Sequence, residues 1–235
     1  MLAVFHVPED TGPPTDPGAA LTRRDSLGFV STIDQIEGDV DPDTLGDWTT
    51  DLGDFSGQLT INGDGAMTVS VDTVEYDRWG HSGDLDGNTG WTIELNIRID
   101  SVGAAGGDVG VFDVVSRTTT RSPWFYVRPD GIGYRTAGAD QGLLHAKDMM
   151  DGQFHTVRMA TVSGEDHTIW IDGALAATWA GNDYMADIAI FLGRNGTDTV
   201  DDGTVTIDYI RFDTSGAYAP GVASSATAGT VIYWK

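Results

Sequence analysis

The sequence predicts an all-β chain folded as a two-sheet antiparallel jelly-roll sandwich with extended N- and C-terminal arms. Three observations carry that expectation. Apolar and polar residues alternate with period two along several short segments, and no window shows an amphipathic helical repeat. Turn-forming residues separate the segments, with 31 glycines among 235 positions. A hydrophobic fraction of 40% in a chain of this length fills a core without disulfides, and there are no cysteines to make any.

Along the chain, Leu59–Ile61 and Met67–Val71 flank Asn62-Gly63-Asp64-Gly65, whose residues tolerate positive φ and so close a hairpin. Trp91–Asp100 is the clearest strand. Trp91, Ile93, Leu95, Ile97 and Ile99 share one face, while Thr92, Glu94, Asn96 and Arg98 share the other. Val109–Ser116 follows. Trp124–Arg128 and Ile132–Thr136 flank the turn Pro129-Asp130-Gly131. His155–Val162, His167–Asp172, Ala174–Trp179, Ile188–Gly193 and Thr204–Phe212 complete a set of about ten short strands, a two-sheet pattern. Residues 1–25, rich in Pro, Gly, Asp and Thr, read as an extended arm, and residues 26–213 as the sandwich. Residues 214–235 read as a small-residue linker leading to the apolar docking segment Val231-Ile232-Tyr233-Trp234.

Charge is the most unusual global feature. The formal net charge is -23, from 31 Asp and 5 Glu against 11 Arg and 2 Lys. Short, strongly hydrated Asp with almost no Lys suits salt-accumulating cells and their viruses, because at molar salt the Debye length falls to about 3 Å and self-repulsion is screened. An acidic marine protein from a GC-rich genome is the alternative, since such a genome also favours Arg over Lys. Binding to nucleic acid and insertion into an anionic membrane are both disfavoured, because each needs a basic or long apolar surface. The N-terminal MLAVFHVPEDTGPP lacks the basic region of a signal peptide, so a virion surface, reached by lysis, or another extracellular position is expected.

Four elements between about residues 91 and 213 resemble the concanavalin-A-like, laminin-G-like superfamily. Asp151-Gly152-Gln153-Phe154-His155-Thr156-Val157-Arg158 resembles its D-G-x-W/F-H-x-V strand opening. His167-Thr168-Ile169-Trp170-Ile171-Asp172-Gly173 is similar to the x-x-L-Y-V-D-G strand and turn that follow. Ile190-Phe191-Leu192-Gly193 and Thr206-Ile207-Asp208-Tyr209-Ile210-Arg211-Phe212 resemble the later strands. In this reading Asp172-Gly173 closes a hairpin, and Phe154, Val157, Trp170 and Ile171 fill the core.

The resemblance implies a structural calcium where the first strand meets an Asp of the last. Ile36-Glu37-Gly38-Asp39 is similar to the first-strand element, which makes Glu37, Asp39 and Asp208 the candidate ligands for Ca2+. Asp39-x-Asp41-x-Asp43 begins like an EF-hand loop but has Thr44 where the turn glycine belongs. For a glycan, an aromatic ring stacks on the sugar while polar side chains bond its hydroxyls. Trp79 and His81 in a turn-rich stretch, and Trp124 with Tyr126, are the candidate ligand-binding residues, although Trp79 equally reads as a plug closing one end of the sandwich.

Catalysis is not expected. Glu occurs at 9, 37, 75, 94 and 165 only, and none opens the E-x-D-x-x-E pair of laminarinase-type glycosidases. No G-x-S-x-G elbow and no H-E-x-x-H motif is present. A polysaccharide lyase assembled from His145, His155, Arg158 and Tyr134 is the weakest alternative. The leading expectation is a non-catalytic surface or adhesion protein of a halophilic virus, whether a capsid decoration, turret or receptor-binding component. Its arms would contact other subunits and its surface a cell-surface glycan. A carbohydrate-binding module of a secreted or cell-surface protein is the second reading.

Overall fold

The computed structural model describes residues 22–24, 35–38, 40–42, 48–50, 59–71, 78–82, 91–103, 111–117, 124–135, 141–161, 166–179, 189–193, 203–213 and 217–220. These form strands β1 (Thr22–Arg24), β2 (Gln35–Glu37), β3 (Trp48–Thr50), β4 (Leu59–Ile61), β5 (Met67–Val71), β6 (Arg78–Ser82) and β7 (Trp91–Val102). After them come β8 (Phe112–Arg117), β9 (Trp124–Arg128), β10 (Gly131–Arg135), β11 (Gln141–Ala146) and β12 (His155–Thr161). The last five are β13 (His167–Ile171), β14 (Ala174–Trp179), β15 (Ala189–Gly193), β16 (Gly203–Asp213) and β17 (Tyr218–Pro220). Among the described residues there is no α-helix, and no helix long and apolar enough to cross a membrane.

Two antiparallel sheets pack as a sandwich. One has seven strands in the order β11-β10-β9-β8-β15-β6-β3. The other runs β14-β13-β12-β7-β16-β5-β4, with β2 added beside β16 as its eighth strand. Alternation decides which residues meet between them. On β7 the inward set is Trp91, Ile93, Leu95, Ile97 and Ile99, each at most 3% exposed. Val205, Ile207, Ile210 and Phe212 of β16 join it, facing Phe112, Val114, Phe125, Val127 and Leu192 of the seven-stranded sheet. Burying one such side chain contributes about 1.5–3 kcal/mol, so this layer is the main stabilising element. A void between the sheets beside Leu95, Phe125 and Ile169 holds about 10 Å³, too little for a ligand.

The turns follow the local chemistry. β13 and β14 join through Asp172 (φ 52°) and Gly173 (φ 77°), two consecutive positive values that make a primed turn matching the strand twist. The β4–β5 hairpin closes with Asn62 N–H donating to the Ala66 carbonyl at 2.9 Å. A β-bulge in β16 lies between Ile207 and Tyr209. Ile207 and Ile210 face inward, so Asp208 and Tyr209 both turn outward. Beside the bulge, Gly38 comes so close to β16 that a Cβ there would sit 2.4 Å from the Ile207 carbonyl oxygen.

Three expectations change. Arg78–Ser82, read as a turn-rich stretch, is a central strand of the seven-stranded sheet, its alternation blurred by Gly80. Phe154 does not fill the core: it is 37% exposed. Trp170 is buried, but on the outer face of its sheet, packed with Ala160, Ala217 and Ala219. Thr22–Arg24 and Tyr218–Pro220, within the expected arm and linker, pair in parallel as a two-stranded ribbon. Residues 1–21 and the segment Val231-Ile232-Tyr233-Trp234 lie outside the described residues.

Candidate functional site

The outer face of the eight-stranded sheet carries two contrasting zones. At one end β17 lies across it. Tyr218 N–H donates to Thr92 Oγ1 at 2.9 Å, and Arg158 Nη1 donates to the Tyr218 carbonyl at 3.4 Å. Beneath this strap the cross-strand row Glu94–Arg158–Trp170 is removed from water, with Arg158 1% and Glu94 2% exposed.

The other zone is open. On β7 the outward positions Asn96, Arg98 and Asp100 follow Glu94, and antiparallel register sets Asn96 beside Thr156 of β12 and Tyr209 of β16. Asn96 Nδ2 donates to Asp208 Oδ2 at 2.9 Å. The Arg98 guanidinium stands 4.9 Å from the centroid of the Phe154 ring, its Nε 2.6 Å from Asp100 and its Nη2 3.3 Å from Thr206 Oγ1. The Arg211 guanidinium stacks 3.8 Å over the Tyr209 ring, and the Tyr209 hydroxyl donates to Glu94 Oε1 at 3.1 Å. Burial, reinforced by the Glu94 charge, pushes the Tyr209 hydroxyl above its ordinary pKa of 10.0 and keeps it a proton donor. The zone thus joins one exposed ring, a second half-buried ring, an amide and two carboxylates whose orientations are already set by hydrogen bonds.

Phe154 is held at its rim by a polar clamp. The His155 ring sits between Asp172 Oδ2, 2.9 Å from Nδ1, and Asp151 Oδ1, 3.1 Å from Nε2. Lys147 Nζ is 3.0 Å from Asp172 Oδ2, and Thr156 N–H donates to Asp172 Oδ1 at 3.0 Å. Desolvation acts to raise the Asp172 carboxyl, but the bonds from His155, Lys147 and Thr156 outweigh it and hold it below 3.8. Asp151 is lowered chiefly by the Gln153 N–H. For carboxyls lowered in the folded state, the stabilisation is complete above the unfolded value and is lost as pH falls through the folded one. Stability from this clamp should therefore hold down to about pH 4 and decline below it. In urea melts Asp172→Asn, which tolerates the positive φ, should flatten that acid limb; an unchanged limb would show that the clamp adds no acid sensitivity.

The residues expected at a site fall in several places. Trp79 is 0% exposed within the inter-sheet core, so its ring presents no face to a sugar and acts as the plug. His81 pairs through its backbone with Ile190 and Trp48, and its side chain lies outside the described residues. Trp124 and Tyr126 stand side by side on the other sheet, ring centroids 6.1 Å apart, with Trp124 Nε1 donating to Asp113 at 3.1 Å. Trp124 is half-buried, but Tyr126 is 3% exposed and offers no stacking face. Glu37 pairs with Tyr209 and the Gly38 N–H donates to the Asp208 carbonyl at 2.7 Å, so the first and last strands do meet. The Glu37 side chain and all of Asp39 lie outside the described residues. The Asp208 carboxylate is engaged by Asn96, and no group of three or more His, Asp or Glu side chains among the described residues converges to hold a metal. The lyase quartet is dispersed: Arg158 lies under the strap, His155 in the clamp, and Tyr134 on β10 against Trp179.

Sequence reasoning missed Phe154, Asn96, Arg98 and Tyr209. Parity held the signal. Val157 and Met159 are the β12 residues in the inter-sheet core, so Phe154 shares its phase with the outward Thr156 and Arg158. The bulge that turns Tyr209 outward has no comparable local mark.

No family profile matches the chain, and neither does any curated protein sequence. Solved structures do. A mutant of a domain designated HCR/D superposes with a TM-score of 0.52 at 10% identity, covering 79% of this chain and 49% of that one. The receptor-binding domain of botulinum neurotoxin D gives 0.48 at 11% identity over 75% of this chain and 45% of its own. The carbohydrate recognition domain of Emp47p gives 0.48 at 14% identity over 85% and 100%. The chain spans less than half of each of the first two proteins. At these identities the likeness is one of fold: the protein shares the antiparallel β-sandwich of the HCR/D domain.

Proposed function

We propose that the chain is a non-catalytic recognition module that binds glycan on the open zone of its eight-stranded sheet. The observation that carries this reading is Phe154: a ring 37% exposed, set at the edge of a pre-bonded polar surface made by Asn96, Arg98, Asp208 and Tyr209. An exposed ring takes the apolar face of a pyranose, while Asp208 accepts from its hydroxyls. The clamp at His155 limits what Phe154 must lose in freedom on binding.

The setting we propose is the exterior of a particle or cell at high salt: a capsid decoration, turret or receptor-binding component of a halophilic virus, or a carbohydrate-binding module of a secreted protein. The net charge of -23 with only 2 Lys supports it. We assign subunit contacts to the arms, residues 1–25 and 214–235. Thr22–Arg24 and Tyr218–Pro220, which lie within these arms, pair as the β1–β17 ribbon.

The test is calorimetric titration with oligosaccharides, at 0.1 and 2 M KCl, of the protein and of Phe154→Ala. The variant should lose at least tenfold in affinity, about 1.4 kcal/mol, while its unfolding free energy moves by no more than about 0.5 kcal/mol. Binding should be strongest at 2 M KCl, where charge repulsion no longer loosens the fold. Undiminished binding by Phe154→Ala would move the site elsewhere. New reducing or unsaturated sugar ends during incubation with a polysaccharide would restore an enzymatic reading.

A further inference from the structure

The five basic residues whose side chains are described are all committed to carboxylates. Arg98 Nε lies 2.6 Å from Asp100, Arg128 Nε 2.7 Å from Asp130, and Lys147 Nζ 3.0 Å from Asp172. Arg158 and Arg211 share Glu94. Of the five, Arg98, Lys147 and Arg211 are the ones partly open to solvent, at 33%, 33% and 16% side-chain exposure.

A sulfate or carboxylate on a sugar is ordinarily recognised by a guanidinium or ammonium free to make charge-assisted bonds. Among the described residues, an anionic ligand would have to break an existing pair to obtain one, freeing a carboxylate beside its own charge. It would also approach a molecule of net charge -23. Within a Debye length of about 8 Å at physiological ionic strength, that field disfavours anions. A neutral sugar meets neither obstacle, because its hydroxyls need only an acceptor such as Asp208 and leave the Arg98–Asp100 pair intact.

We infer that the ligand class of the open zone is uncharged glycan, and that sialylated, sulfated and uronic-acid-bearing sugars are rejected. This rests on the glycan-binding reading above and narrows it.

The experiment uses matched pairs: neutral oligosaccharides of gluco-, galacto- and manno-configuration, and the same backbones carrying a sulfate or a terminal acidic sugar. Affinities are measured on the full chain at 0.15 and 2 M KCl. The neutral member of each bound pair should bind at least tenfold tighter at 0.15 M. The gap should narrow at 2 M, where long-range repulsion is screened, without inverting. Asp100→Asn, which releases the Arg98 guanidinium, should raise the relative affinity for the sulfated member several-fold. Tighter binding of an anionic member by the unaltered protein at either salt would overturn the ligand class and leave glycan binding intact. Binding of neither member in any pair would overturn glycan binding itself, and the class with it.

Discussion

Replacing Glu94 by glutamine is expected to lower the unfolding free energy by about 3–5 kcal/mol, the cost of breaking a buried ion pair from one side. Glu94 occupies an outward position of β7 yet is 2% exposed, because β17 closes over it. Its carboxylate accepts from Arg158 Nε at 2.6 Å, from the Tyr209 hydroxyl at 3.1 Å and from Arg211 Nη1 at 3.4 Å. Glutamine keeps the shape but removes the carboxylate charge with which the Arg158 guanidinium, 1% exposed, is paired. Two further variants test the cause. Arg158→Met leaves Glu94 with Arg211 and Tyr209 and should cost less. Glu94→Leu combined with Arg158→Met removes both buried charges and should recover most of the loss, as replacing a whole buried pair by apolar groups often does. Urea unfolding measures all three. If Glu94→Gln cost under 1 kcal/mol, the strap would not seal this pair from water.

Trp79→Ala should destabilise by a similar amount, about 3–5 kcal/mol, through lost transfer energy and the cavity left behind. Trp79 is one of the largest fully buried side chains, on a strand paired on both sides between β15 and β3. Neither sheet can collapse into the space without breaking those ladders. Measured at a temperature where the variant is folded, its sugar affinity should match that of the unaltered protein. Reduced affinity with unchanged stability would place this ring at the surface and reverse the assignment made between Trp79 and Phe154.

Two aromatic residues show how far a linear reading reaches. Trp170 and Phe154 both sit at outward positions, as the inter-sheet core residues Ile169, Ile171, Val157 and Met159 imply. Parity alone makes them equivalent. Trp170 is nevertheless 3% exposed and Phe154 37%, because residues 217–220 return over one and not the other. Nothing within either segment encodes that difference. Trp79 is the reverse case: its neighbours Arg78, Gly80 and Ser82 look like a loop, and only pairing with strands more than a hundred positions downstream and about thirty upstream makes them a strand.

By itself the sequence determined the β-sandwich, the inward set of β7 and the Asp172-Gly173 turn. These follow from period-two alternation and φ preferences, which act over a few residues. Tertiary structure alone decided which outward residues are covered. It placed the strap over Glu94, Arg158 and Trp170, turned Tyr209 outward at a bulge, and left Phe154 beside Arg98. The physical reason is that water exclusion at a sheet face depends on chain arriving from elsewhere, and such contacts join residues as far apart as Thr92 and Tyr218.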